Sequence, residues 1–181
     1  RTVAQLLQMK KVYNLQLNLL TETYLVAKLG KPHSLYGYQY IKFDSFFKNL
    51  KLNAIELIID DEIYIVEDFK KHLKDRNLIK FNKIKNINDV ELLRNHNVYI
   101  SKKYCNTLLN KDKLPWPGYF IKSIINKSGQ KLLNYSIYNN LIFCRVEGFN
   151  EFEIPYNKDF FNYKNDILSL NENKLTINPA K

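Results

Sequence analysis

Glycine is scarce in this chain, with five residues in 181. A phosphate-cradling loop needs several glycines at fixed spacing, and no Gly-x-Gly-x-x-Gly occurs. Cysteine is rarer still. Cys105 and Cys144 lie far apart with no Cys-x-x-Cys, so neither a disulfide framework nor a zinc module is indicated, and a reducing setting fits. His33, His72 and His96 are also dispersed, without His-x-x-x-His spacing or clustered acids. There is no Gly-x-Ser-x-Gly nucleophile turn. No apolar run reaches membrane-spanning length and no secretory signal is visible. From these absences we expect no cofactor, no metal and no membrane partner. Acids are missing from residues 1–20, where Arg1, Lys10 and Lys11 stand without a carboxylate before Glu22.

Aromatic and branched side chains are abundant instead. Thirteen Tyr and eleven Phe, with many Ile and Val, suit pleated, half-buried surfaces better than helices. Hydrophobic residues at 45% are enough for a packed core. The formal charge of +10 and pI near 9.4 favour encounter with polyanions, RNA foremost. Heavy use of Lys and Asn is also what a compositionally biased genome produces.

Val3, Leu6, Leu7, Val12 and Leu15 form a rough helical stripe in residues 1–22. It reads as a packing helix, as the remainder of a basic organelle transit segment, or as a simple extension. From Tyr24 the pattern turns to strands. Residues 54–66 read as a hairpin with Asp60-Asp61 at its tip. Residues 77–81 and 98–100 read as strands, and residues 88–94 as a short helix with an Asn or Asp cap. Residues 102–118, with Pro115 and Pro117 flanking the single Trp116, mark a boundary. Strands are expected again at 119–125, 131–138 and 141–146, with turns at 126–129 and 139–140. Short strand segments at 152–155 and 174–177 complete the set. The expected fold is mainly β: two small barrels behind an N-terminal helical extension. The divisions are 1–22 extension, 23–103 first barrel, 104–118 linker and 119–181 second barrel.

Three groups of residues carry chemistry. Asp60, Asp61 and Glu67-Asp68-Phe69-Lys70 are residue types with which a Mg²⁺-dependent nuclease holds metal and orients water, but so short a match is weak and Asp60-Asp61 equally solvates a turn. His33 sits in Gly30-Lys31-Pro32-His33-Ser34-Leu35-Tyr36-Gly37, between two strands. There it either braces the turn or, with Lys31, meets phosphate or a partner. Trp116, Tyr119 and Phe120 either fill a seam between two barrels or anchor a protein partner.

The turn and two later landmarks resemble one family. Ala27-x-Leu29-x-Lys31-Pro32-His33-Ser34-Leu35-Tyr36-Gly37 is similar to the N-terminal signature of the ribosome maturation factor RimM, the 16S rRNA processing protein. Residues 88–95 with Val98-Tyr99-Ile100 are similar to that family's helix–strand landmark. Ile124, Gly129, Leu132, Tyr135 and Glu153-Ile154-Pro155-Tyr156 are similar to its C-terminal PRC-type barrel. Ala27 and Ser34 stand where the family usually has Gly, and Leu133 replaces a Gly of the PRC turn. The family's partner-binding tyrosine pair falls near Leu114-Pro115, leaving Trp116, Tyr119 and Phe120 as candidate substitutes.

The resemblance implies a non-enzymatic factor for assembly of the small-subunit head and processing of its rRNA. Its implied partners are the small-subunit precursor, rRNA and the head protein numbered nineteen, and a monomer is expected. Lys31, His33, Tyr36, Trp116, Tyr119, Phe120 and Lys122 are then the expected partner-binding and RNA-binding residues. A plastid or mitochondrion is favoured over a bacterial cytoplasm. The alternatives are a general RNA-binding β protein and the Mg²⁺-dependent nuclease.

Overall fold

Six short strand-forming segments rich in branched and aromatic residues close a barrel in the first part of the chain. A computed structural model of the chain describes residues 2–5, 7–9, 23–73, 76–149 and 152–175. The chain divides into two compact units, Arg1–Asp44 with Lys51–Tyr104, and Ser45–Leu50 with Cys105–Lys181. Residues 3–5 and 7–9 are helical. Residues 1, 6 and 10–22 of the expected extension lie outside the described residues.

The first unit holds strands β1 (Thr23–Pro32), β2 (Gln39–Phe43), β3 (Glu56–Ile59), β4 (Glu62–Lys71), β5 (Asn77–Phe81) and β6 (Asn97–Ser101). They form a closed antiparallel barrel in the order β1-β2-β5-β4-β3-β6. β1 closes it by pairing on both edges, Lys28 lying opposite Lys42 of β2 and Asn97 of β6. Leu29, Leu57, Ile59, Ile79, Phe81 and Val98 are among the buried side chains. Asp60 and Asp61 form the β3–β4 tip with φ of 49° and 64°. Left-handed backbone at both central residues matches the twist of a two-residue hairpin, and Asp tolerates it. The short helix is Ile87–Leu92. Asn86 Oδ1 accepts from the N–H groups of Asn88 (2.9 Å) and Asp89 (3.1 Å), which caps it.

Two bulges set which way the charged residues point. In β1 the register shifts between Leu25 and Ala27, so Val26 and Ala27 are both buried in succession. A strict alternation from Val26 would bury Lys28; the extra residue turns Lys28 outward and Leu29 inward. In β4 the shift falls between Val66 and Asp68. Phe69 then lies against Phe43, ring centroids 5.5 Å apart, while Asp68 and Lys70 face out.

The second unit corrects the expectation of a second barrel. Its strands are β7 (Leu132–Tyr138), β8 (Leu141–Val146), β9 (Ile154–Pro155), β10 (Phe161–Lys164) and β11 (Ile167–Leu170). They make a three-stranded sheet, β7-β8-β9, and a separate β10-β11 pair. β9 pairs through only two residues, and Pro155 has no N–H with which to extend the ladder. Among the described residues no ladder joins the two sheets into a ring. Their shared core includes Leu114, Phe120, Leu132, Cys144, Tyr156 and Phe161. Residues 119–125 are not the expected strand; Pro117–Phe120 is a 3₁₀ turn with Pro at its start. The β10-β11 pair was absent from the sequence reading, and Thr176 and Ile177 of the expected last strand lie outside the described residues.

Gln39 tests the barrel's interior. Its side chain is fully buried, and neither amide atom has a hydrogen-bond partner. Replacing such a group by an apolar one removes a desolvation penalty of about 1–3 kcal/mol. Gln39→Leu should therefore raise the unfolding free energy in urea titrations. A fall would mean that the amide is satisfied in solution. Gly37 tests the turn beside it. Its φ is +86°, and an added Cβ would lie 2.7 Å from the Ile84 carbonyl oxygen. Gly37→Ala should cost roughly 1–3 kcal/mol in the same assay.

Candidate functional site

The β1–β2 turn is braced by its own backbone. His33 N–H donates to the Tyr38 carbonyl (2.9 Å), and Ser34 Oγ accepts from the Tyr36 N–H (3.3 Å). The left-handed residue is Gly37; Ser34, the departure from the family's Gly, is not among the positive-φ residues. Leu35 and Tyr36 project at the tip, 70% and 74% exposed. Beyond the turn, Gln39, Ile41 and Phe43 point inward. The period of two therefore sends Tyr38, Tyr40 and Lys42 outward.

That outer face is cationic and aromatic. Lys28 and Lys42 lie directly opposite one another on β1 and β2, both exposed. Like charges in register are unfavourable in a free sheet, and an anion over the pair relieves them. Lys70 Nζ lies 4.2 Å from the centroid of the Tyr38 ring, and Lys80 Nζ lies 5.9 Å from it. Arg76 lies 5.5 Å from the centroid of the Tyr40 ring. Tyr40 Oη and His33 Nδ1 share a 3.1 Å hydrogen bond. Rings flanked by cations provide stacking for bases and charge for phosphates.

The carboxylates here are engaged by neighbours. Tyr38 O–H donates to Asp68 Oδ2 (2.7 Å), and Lys70 lies 3.6 Å from the same oxygen. Lys80 pairs with Glu67 at 2.8 Å. The Tyr38 hydroxyl, with Lys70 and hydrogen bonds from Asn53 and the Phe69 backbone adding to it, holds the Asp68 carboxyl below its ordinary range. Asp60 and Asp61 are at the far end of β4. Seven residues of strand separate Asp61 from Asp68, roughly 20 Å at the rise of an extended chain. The two acidic groups cannot share a metal ion. Among the described residues no three His, Cys, Asp or Glu side chains gather as a metal site.

The expected residues fall in different places. Lys31, His33 and Tyr36 are exposed at one end of the barrel. Trp116 and Phe120 are each only 5% exposed, inside the second unit. Trp116 packs against Phe47 (5.6 Å between centroids) and Tyr135 (6.2 Å), and its ring occupies the space that a side chain on Gly118 would need. Tyr119 is half-buried and Lys122 exposed. Tyr38, Tyr40 and Arg76 escaped the sequence reading, and His72 was weighed only as a metal ligand. The signal for the tyrosines was present as Tyr38-x-Tyr40-x-Lys42, an alternation that puts all three on one face.

The barrel and its outer face define a class, a small β module built for binding. Residues 24–104, which span this barrel, match the model of the RimM N-terminal domain. Two solved structures are similar at low identity. The solution structure of the N-terminal domain of RimM from Thermus thermophilus is 14% identical; the match covers 44% of this chain and 88% of that one, with a TM-score of 0.38. A crystal structure from Pseudomonas aeruginosa, of a protein assigned as the 16S ribosomal RNA processing protein RimM, is 10% identical. It covers 84% of this chain and 99% of that one, with a TM-score of 0.40. No curated protein matches the chain in sequence.

The Tyr38–Asp68 hydrogen bond yields a test with a defined sign. A depressed carboxyl pKa stabilises the fold above the ordinary Asp range, and that stabilisation is lost as pH falls through the depressed value. In Tyr38→Phe the Asp68 titration midpoint, followed by carboxyl NMR, should rise toward the ordinary value. The stability gap between wild type and variant should close in acid. An unmoved midpoint would show that Tyr38 does not hold Asp68.

Proposed function

We propose that this protein is a non-catalytic factor of small ribosomal subunit assembly. In this reading the first barrel binds precursor rRNA through the face carrying Lys28, Lys42, Tyr38, Tyr40 and Lys70, with Lys31, His33 and Tyr36 at its rim. The observation that carries it is the Lys28–Lys42 pair, held directly opposite on exposed strands beside cation-flanked rings. The match of residues 24–104 to the RimM N-terminal domain supports the ribosomal context. The small-subunit head, its protein numbered nineteen and the precursor are the proposed partners, and the compartment is wherever those ribosomes assemble.

The second unit takes the protein-docking role in the same proposal. Trp116 and Phe120 stiffen it from inside, while Tyr119 and Lys122 reach its surface. Buried aromatics beneath a docking patch fix its shape. A general RNA-binding β protein is the competing reading, and it differs in having no preference for the small-subunit precursor.

Lys42→Glu separates function from folding. Opposite Lys28 it creates an attractive cross-strand pair, so stability should hold or improve. RNA affinity should fall, and the slope of log affinity against log salt should become shallower by about 1–2. Co-sedimentation of the wild-type chain with small-subunit precursors, absent with mature large subunits, completes the test. Binding to all RNAs alike would favour the general binder, and no binding at low salt would sink the proposal.

A further inference from the structure

Two turns meet at one end of the barrel. His33 follows β1, and His72 follows β4, where its N–H donates to the Arg76 carbonyl (2.7 Å). Their imidazole rings are 4.4 Å apart, edge to face, and Tyr40 of β2 borders both at 5.2 Å and 5.8 Å. The charged neighbours are Lys70 on β4 and Arg76 before β5, with exposed Lys31 on β1 and Lys71 on β4 at the rim. Among the described residues the carboxylate in this group is Asp68, which is bonded to Tyr38 and paired with Lys70. An imidazole pair with a purely structural role gains from a carboxylate or carbonyl at its free nitrogens. Here the described charged neighbours are instead the cations Lys70 and Arg76.

We propose that His33, His72 and Arg76 form a phosphate site coupled to proton uptake, which takes a backbone phosphate of bound RNA. The identity of the ligand rests on the RNA-binding reading above. In the free protein local desolvation, the neighbouring His72 and Lys70 lower the proton affinity of His33. A phosphate placed against the cluster reverses the sign of that field. One proton then moves from solvent to an imidazole as the phosphate binds, giving a charge-assisted donor alongside the Arg76 guanidinium. Binding strengthens as pH falls between the bound and free pKa values of the cluster.

The experiment uses the full chain, a fluorescent single-stranded oligouridylate and, separately, inorganic pyrophosphate. RNA affinity should be about tenfold tighter near pH 6 than near pH 8. His33→Gln with His72→Gln should flatten that dependence. His96→Gln, away from the cluster, should leave the dependence intact. In NMR titrations pyrophosphate should raise the midpoints of the His33 and His72 ring protons. RNA binding with a pH dependence that survives the double variant would overturn the site while leaving RNA recognition standing. Failure to bind RNA, with pyrophosphate still raising both midpoints, would support the site and reject the ligand. Midpoints unmoved by either probe would overturn it outright.

Discussion

Double-edged pairing of β1 is the constraint on which the first unit depends. Lys28 sits between Lys42 and Asn97, so the same strand that starts the sheet also ends it. A closed ring has no free edge to slip along, and each register then decides which face every side chain takes. Closure alone would nevertheless have misplaced the chemistry. The bulges at Leu25/Ala27 and Val66/Asp68 reset the alternation within β1 and β4, and they turn Lys28, Asp68 and Lys70 outward. The cationic face is thus a product of two single-residue insertions, each covered by an apolar residue turned in, Ala27 and Phe69.

In the proposed reading the face attracts anions because its charges are incompletely neutralised. Glu67 and Asp68 are bound to Lys80 and to Tyr38 with Lys70, whereas Lys28 faces Lys42. Rings between these cations keep the surface usable by bases as well as phosphates. At the barrel's end the two imidazoles extend the same surface with groups whose charge depends on pH. In the proposed reading, binding strength, salt dependence and proton uptake trace back to the same backbone registers.

Much of the first unit was legible in the sequence. Period-two alternation located its strands, Asp60-Asp61 its acidic tip, and Lys31-Pro32-His33 the turn that carries the family resemblance. The bulges were harder to read, since Val26-Ala27 and the Val66–Phe69 spacing look like noise in a strict alternation. Proximity of His33 to His72 could not be read at all, because it depends on β1 and β4 ending at the same rim with β2 and β5 between them. In the second unit the turns at Gly129 and at Asn139-Asn140 were anticipated by residue type, and all three adopt positive φ. The second barrel was not obtained because regular strand spacing carries no information about closure; β9 pairs through only two residues and no ladder joins the two described sheets. Trp116 stood out by its flanking prolines, but its burial depends on the absent side chain of Gly118 and on Phe47, distant in sequence.

Residue-resolved ultraviolet cross-linking of the full chain to small-subunit precursor RNA tests the central claim most directly. Cross-links should fall at Tyr36, Tyr38 and Tyr40 and on peptides carrying Lys42 and Lys70. Cross-links confined to β3 and β6, or to the second unit, would contradict it.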